Sequence, residues 1–331
     1  MSEARPSPNL RQRLWTTVKV AAALALLVFV ISRTSLQQVR QAWGSISVGW
    51  LLLSIGCFLL MTLVKALQYR ALINPELPYR QVLGTVAMQN AISNYFSNTA
   101  GVAAYLALFK ADHEVSVKRS AAAFILVKVG DLASILVLLT VSMGLTWQQT
   151  FPLHPFLVLA SLVLLGLLGA ILAAVFLRQT FVAIVSGILS RLKLTRFKVV
   201  QAGLDLLEAL SQMPAEQVKG LLRRSFAYSA LYFGCTLLWA ITLTRAFRIP
   251  VGVAAITFIM AVYQVISFIP VQVFGGLGVS EVTSLYLYGL FGVPQAGVAA
   301  ALLGMRLYNL LVNALPLVFI PFGRGKAGKP G

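Results

Sequence analysis

Apolar stretches long enough to cross a lipid bilayer recur along the whole chain, and they constrain its fold more than any other feature. A transmembrane helix needs about 20 predominantly apolar residues. Hydrophobic residues make up 59% of the 331 residues and charged residues only 11%, well below the charged fraction of soluble domains. The stretches do not alternate apolar and polar residues, as the strands of a membrane barrel would. The sequence therefore predicts an all-α polytopic membrane protein.

The formal net charge of +18 does not indicate a nucleic-acid partner. Lys and Arg lie mainly between the apolar stretches, where they are typical of cytoplasmic loops that contact anionic lipid headgroups. The chain contains no nucleic-acid motif and no Walker or Rossmann motif. We therefore expect no nucleic acid and no cofactor, and we expect membrane phospholipids with an anionic or phosphate-containing headgroup as partners.

Six stretches predict full spans, at 14–32, 48–68, 120–143, 155–177, 225–247 and 297–320. Two further stretches, 81–109 and 252–293, are apolar but interrupted by Gly, Asn or Pro. As one helix the first would be about 44 Å long, too long for one pass of a core of about 30 Å and too short for two. We predict a broken re-entrant hairpin in each stretch, and 252–293 is also long enough for two thin spans.

The distribution of basic residues predicts the orientation, because cytoplasmic loops carry an excess of Lys and Arg. With re-entrant hairpins, the connection 178–224 and its eight basic residues face the cytoplasm, together with both termini. Residues 1–145 and 146–331 then each contain span, span, hairpin and span, starting from opposite faces. This order predicts an inverted-topology repeat of two membrane halves. We expect the protein in the inner (plasma) membrane of a bacterium.

Four ionisable residues stand out within the predicted membrane region, where charges are costly and usually functional. Lys128 and Asp131 are three residues apart and share one helix face. Glu281 follows the second break, and Arg306 lies within the last span with Asn309 three residues later. The alternative is purely structural, because two cations and two carboxylates can pair and hold helices together.

The two breaks contribute further candidates for substrate binding. Irregular backbone at membrane depth must be buried in protein or line a cavity, since its polar groups cannot be left unpaired in lipid. Helix N-termini at hairpin tips also favour anions such as phosphate. The candidates at the breaks are Asn94, Asn98, Gln272, Gly275, Gly276 and Gly278.

Lys65 and Gln68 lie near the predicted end of the span 48–68. Long polar side chains in such positions commonly extend to the headgroup region. We therefore expect both to reach the cytoplasmic interface rather than a site.

The segment Gly275-Gly276-Leu277-Gly278-Val279-Ser280-Glu281, followed by Gly292-Val293-Pro294 and by Arg306, resembles the flippase-like family formed by the transmembrane region of lysylphosphatidylglycerol synthases and its stand-alone relatives. The break Asn90–Gly101 and the segment Ala121–Asp131 match the same pattern. The resemblance implies a domain that moves an aminoacylated phospholipid between leaflets. It also implies functional positions at Glu281, Gly275–Gly278, Asp131 and Arg306. No synthase domain is recognised, so synthesis of the lipid is not expected.

The functional hypothesis is a lipid flippase or translocase that moves a phospholipid or lipid-linked headgroup between leaflets. One alternative is a secondary transporter of a small amphiphilic solute, which would co-purify with no specific lipid. Another is an intramembrane lipid-modifying enzyme. No acid–base or metal-ligand constellation is visible in the spans, so we expect no enzyme activity.

The predicted topology can be tested at Arg196, within the connection 178–224. We expect a cysteine introduced by Arg196→Cys to react with a membrane-impermeant thiol reagent only after the membrane has been permeabilised, so that the reagent reaches the cytoplasmic face. Reaction from the outer face of intact cells would contradict the inverted repeat.

Overall fold

The computed structural model describes residues 40, 43–95, 98–113, 115–191, 201, 215–267 and 279–320. Within these ranges the chain is helical and has no strand, which confirms the all-α prediction. Five helical stretches there are long and apolar enough to cross a membrane: Val48–Ile73, Arg119–Leu145, Trp147–Ala173, Glu216–Ala246 and Val298–Phe319. They correspond to five of the six predicted spans. The sixth, 14–32, lies outside the described residues.

The described residues form a series of α-helices. They are α1 (Val48–Ile73), α2 (Tyr79–Tyr95), α3 (Asn98–His113), α4 (Val117–Leu145), α5 (Trp147–Thr150), α6 (His154–Phe176), α7 (Arg178–Arg191), α8 (Ala215–Ala246), α9 (Val253–Ser267), α10 (Val279–Leu290) and α11 (Gln295–Val312). Two 3₁₀ helices, Phe151–Leu153 and Leu315–Phe319, precede α6 and follow α11.

Two helices extend well beyond one end of the predicted span. The span predicted at 48–68 continues to Ile73, and it ends where Asn74 leaves helical geometry ahead of Pro75. Proline disfavours helical geometry in the residue before it, which places the end of α1 here. The span predicted at 225–247 begins at Ala215, so part of the predicted connection is helical.

Each interrupted stretch contains two helices, α2 and α3 in the first and α9 and α10 in the second. The breaks themselves, 96–97 and 268–278, lie outside the described residues. In the first pair the helices pack against each other near Gly101, where an added Cβ would lie 3.1 Å from the Cα of Ser93. The re-entrant path of each pair, the division at residue 145 and the inverted repeat stay predictions.

Aromatic packing fixes the first helix pair against α1. Tyr105 and Phe109 of α3 are fully buried, and their ring centroids lie 4.8 and 6.5 Å from that of Tyr69. The Tyr105 hydroxyl donates a hydrogen bond to the carbonyl of Ser120, at the start of α4. In a bilayer, such packing and hydrogen bonding drive helix association, because lipid is as apolar as the side chains.

Helix α8 packs against both α1 and α4, so helices from the two predicted halves form one body. Small residues allow close approach of α4 and α8. A Cβ added to Gly130 would lie 2.6 Å from the hydroxyls of Ser225 and Ser229 and 2.8 Å from the Ser225 carbonyl oxygen. Small residues at helix contacts in membranes commonly have this role.

Gly130→Ala should therefore destabilise the protein. The new methyl group must push α8 away from α4, and overpacking of this kind costs about 1–3 kcal/mol. We expect a lower midpoint of thermal unfolding in detergent. The matched control is Gly169→Ala on α6, where an added Cβ meets nothing within 4 Å. Equal midpoints for the two variants would contradict the close packing of α4 and α8.

Candidate functional site

A cavity of about 1020 Å³ lies among the described helices. Helices from both ends of the chain line it, including α1, α2, α4, α8, α9, α10 and α11. Much of the wall is apolar, with residues such as Leu132, Ile135 and Ile259. Five charged side chains also contribute to it: Lys65, Lys128, Asp131, Glu281 and Arg306. The wall is therefore amphipathic, with three cations and two carboxylates.

Asp131 is the centre of the first charged cluster. It lies near the middle of α4 and is only 5% exposed. The ammonium group of Lys65, from α1, lies 2.9 and 3.0 Å from its two carboxylate oxygens. Burying a carboxylate is costly unless it is paired and hydrogen-bonded. The contact satisfies this requirement and joins α1 to α4.

Side chains from α8 complete the surroundings of this pair. The Ser229 hydroxyl donates to Asp131 Oδ1 at 2.8 Å, and Gln68 Nε2 donates to the same hydroxyl at 2.7 Å. The Lys65 ammonium also lies 4.4 Å from the ring centroid of Tyr232, within range of a cation–π contact. Three helices thus meet at one buried network.

Lys128 belongs to the same cluster but has a different environment. Its ammonium group is 3.8 Å from Asp131 Oδ2, beyond hydrogen-bond distance, and 5.4 Å from the centroid of Phe124. Its side chain is 41% exposed, compared with 11% for Lys65. Lys128 therefore presents its charge at the surface of the cavity.

The second charged cluster joins α10 and α11. Glu281 is 4% exposed and lies in the first turn of α10, where the helix dipole favours a carboxylate. Its Oε1 is 3.7 Å from Arg306 Nε of α11. Nearby, the hydroxyls of Tyr263 and Ser284 are hydrogen-bonded to each other. This cluster forms another part of the wall of the same cavity.

A polar contact between the first helix pair and α11 lies at the edge of the cavity. Asn94 Nδ2 donates to Asn313 Oδ1 at 2.7 Å, and the Tyr95 hydroxyl donates to the Leu310 carbonyl at 2.7 Å. The buried Oδ1 of Asn309, close by, has no hydrogen-bond partner among the described residues. A buried acceptor of this kind in a cavity wall suits a polar ligand group or water.

The structure brings together the predicted residues that it describes. Lys128, Asp131, Glu281, Arg306, Asn309 and Asn94 all line the cavity. The side chain of Asn98 and residues Gln272, Gly275, Gly276 and Gly278 lie outside what the structure describes. The role of these residues in binding a substrate stays a prediction.

The expectation for Lys65 and Gln68 was wrong. Both are buried within α1 rather than extended to the interface, with Lys65 on Asp131 and Gln68 on Ser229. The error came from ending the span at 68, which placed both near a helix end. The sequence signal that predicts their burial is Asn74-Pro75, which places the end of the helix more than one turn beyond residue 68.

The chain matches the model of a known protein family over most of its length. The family model described as "Lysylphosphatidylglycerol synthase TM region" matches residues 16–316. No curated protein and no solved structure matches the chain. The matched range includes both charged clusters and the helices that carry them.

Lys65→Met should destabilise the protein strongly, because the buried Asp131 then keeps the Ser229 hydrogen bond but loses the closer of its two described cations. Removing one partner of a buried ion pair typically costs about 3–5 kcal/mol. The double variant Lys65→Met/Asp131→Asn removes both charges and should unfold at a temperature closer to that of the unaltered protein.

The measurement is thermal unfolding in detergent. Lys219→Gln is the control, because it breaks an exposed pair with Glu216 and should change little. A Lys65→Met variant as stable as the unaltered protein would contradict the structural role of the pair.

Proposed function

The chain belongs to the family of lysylphosphatidylglycerol synthase transmembrane regions, and from this premise we propose that it moves a phospholipid or lipid-linked headgroup between the two leaflets. It is a multi-pass membrane protein of a family linked to lipid modification or translocation. The proposal includes a bacterial inner membrane with both termini in the cytoplasm, as the distribution of basic residues predicts.

The observation that carries the proposal is the amphipathic wall of the cavity. A phospholipid has a charged headgroup that is costly to place in hydrocarbon and acyl chains that are costly to place in water. The cavity combines charged residues with a largely apolar wall. Its volume is at the upper end of the usual range for ligand sites, roughly 300–1,000 Å³. It has room for a headgroup, while the acyl chains can stay in the bilayer.

The charged residues suggest a division of roles. Lys128 is the more exposed cation beside Asp131, and Arg306 is the cation beside Glu281; both are suited to contact a headgroup phosphate. Asp131 and Glu281 are more deeply buried and balance these positive charges. Among the wall residues that the structure describes, three cations outnumber two carboxylates, and this positive balance lowers the cost of bringing a phosphate to membrane depth. Movement would be passive or coupled to an ion gradient.

Reconstituted vesicles test this proposal. Purified protein is inserted into vesicles whose inner leaflet carries labelled phosphatidylglycerol or phosphatidylethanolamine, and appearance of the label outside is followed over time. We expect faster equilibration than in empty vesicles. Glu281→Gln and Arg306→Ala should slow it by about tenfold or more, since each removes a charged contact.

The matched control is Arg224→Ala, at an exposed arginine of α8 that is not part of the cavity wall. It should equilibrate lipid at the unaltered rate. Equilibration no faster than in empty vesicles for every headgroup would contradict the lipid proposal. Accumulation of a small amphiphilic solute in the same vesicles would then favour a secondary transporter.

A further inference from the structure

The part of helix α2 that lines the cavity carries hydrogen-bonding groups but no charge. Its residues in the cavity wall are Gln89, Asn90, Ser93, Asn94 and Tyr95. The first four are spaced so that they share one side of the helix, which we call the uncharged face. Carboxamides and hydroxyls are costly to bury without hydrogen-bond partners, so this face needs polar groups opposite it.

The uncharged face contacts both helices that carry a cation of the charged clusters. Gln89 Nε2 lies 3.5 Å from the hydroxyl of Tyr69, which is one turn of α1 beyond Lys65. Asn94 Nδ2 donates to Asn313 Oδ1 at 2.7 Å, at the end of α11. The face is therefore part of the same wall as the two clusters, but its chemistry is that of neutral hydrogen-bonding groups.

Gln89 uses little of its hydrogen-bonding capacity. Its side chain is buried, at 8% exposure, and its Oε1 has no hydrogen-bond partner among the described residues. Its contact with Tyr69 is at the outer limit of hydrogen-bond distance. A carboxamide offers two N–H donors and an oxygen with two lone pairs, so most of these positions stay open.

A second carboxamide in the cavity wall has the same property. The buried Oδ1 of Asn309, on α11, also lacks a hydrogen-bond partner among the described residues. Native proteins satisfy the great majority of such buried atoms, so an unpartnered one needs an explanation. Two in one cavity wall indicate a ligand or water that fills the space beside them.

The chemistry of these carboxamides favours hydroxyl groups as partners. The unpartnered oxygens of Gln89 and Asn309 require a donor, whereas the amide N–H groups of the same side chains require an acceptor. A hydroxyl can donate and accept. An ionised phosphate oxygen only accepts and an ammonium group only donates, so each matches one end of a carboxamide.

We propose that the uncharged face of α2 is a hydroxyl-binding subsite, with Gln89 as its main specificity-determining residue, and that it recognises a polyol headgroup such as glycerol or a sugar. This inference rests on the proposed lipid function and specifies the uncharged part of the headgroup. The phosphate lies with the cations of the charged clusters. A polyol headgroup that also carries an amine is compatible with the subsite, because the hydroxyls are the groups that it recognises.

The test compares phosphatidylglycerol with phosphatidylethanol, which has the same charge but lacks the two glycerol hydroxyls. Both carry identical acyl chains and compete with labelled phosphatidylglycerol for the purified full chain in detergent. We expect phosphatidylglycerol to bind about tenfold more tightly, since a site built to bind a hydroxyl rejects the analogue that lacks it. Phosphatidylethanolamine that binds as tightly as phosphatidylglycerol would indicate recognition of an ammonium donor and would overturn the inference.

Gln89→Met removes the carboxamide and keeps a side chain of similar length. The ratio of the two dissociation constants should fall by about fivefold, through weaker binding of phosphatidylglycerol alone. The matched control is Gln81→Met, the same substitution on the same helix at a position outside the cavity wall, which should keep the ratio. A purely structural role of Gln89 would weaken binding of both lipids equally and leave the ratio constant.

Asn309→Leu provides a second arm on a different helix. It removes the other unpartnered oxygen, and we expect the ratio to fall in the same direction by a similar factor. Where Gln89→Met does not fold, the ratio measured for Asn309→Leu decides instead.

The outcomes separate this inference from the proposed function, because binding is measured without transport. Equal dissociation constants in the unaltered protein, no binding of either lipid, or a constant ratio in folded Gln89→Met would each overturn the inference. Lipid movement in vesicles would stand in that case. Conversely, a protein that prefers phosphatidylglycerol in detergent but moves no lipid would retain the subsite and lose the proposed function.

Discussion

A carboxylate at membrane depth is stable only with partners, and the contact of Asp131 with Lys65 determines how the central helices meet. The pair joins α1 to α4, and Ser229 brings α8 to the same point. Gly130, one residue before Asp131, lets α8 approach closely enough for that hydroxyl to reach. Packing and charge compensation are therefore parts of one arrangement, because the network forms only where the three backbones come close.

The cavity depends on this arrangement and on a second contact far along the chain. The Glu281–Arg306 cluster contributes to the same wall as the Asp131 cluster, although its helices come from the other end of the sequence. The hydrogen bonds of Asn94 and Tyr95 to α11 connect the first helix pair to that end. Both clusters therefore face the space in which the proposed function places a headgroup.

Some of these features can be predicted from the residues alone. Asp131 and Lys128 share a face because they are three residues apart, and Arg306 and Asn309 do so for the same reason. The helix that carries Lys65 can also be predicted from the sequence, but the carboxylate that pairs with Lys65 cannot. If the span is taken to end at 68, Lys65 is predicted to contact lipid headgroups. If it is taken to end at Asn74-Pro75, Lys65 is predicted to lie inside the membrane, where its charge needs a carboxylate partner.

The sequence by itself determined the helical membrane architecture, five of the spans, the family and four of the charged residues that line the cavity, Lys128, Asp131, Glu281 and Arg306, because bilayer thickness and the cost of buried charge act on local composition. Only the tertiary structure decided which charges meet. It paired Asp131 with Lys65, left Lys128 at the surface of the cavity and brought both clusters into one wall. Those contacts depend on how distant helices pack, and the spacing of the helices along the chain does not determine their packing.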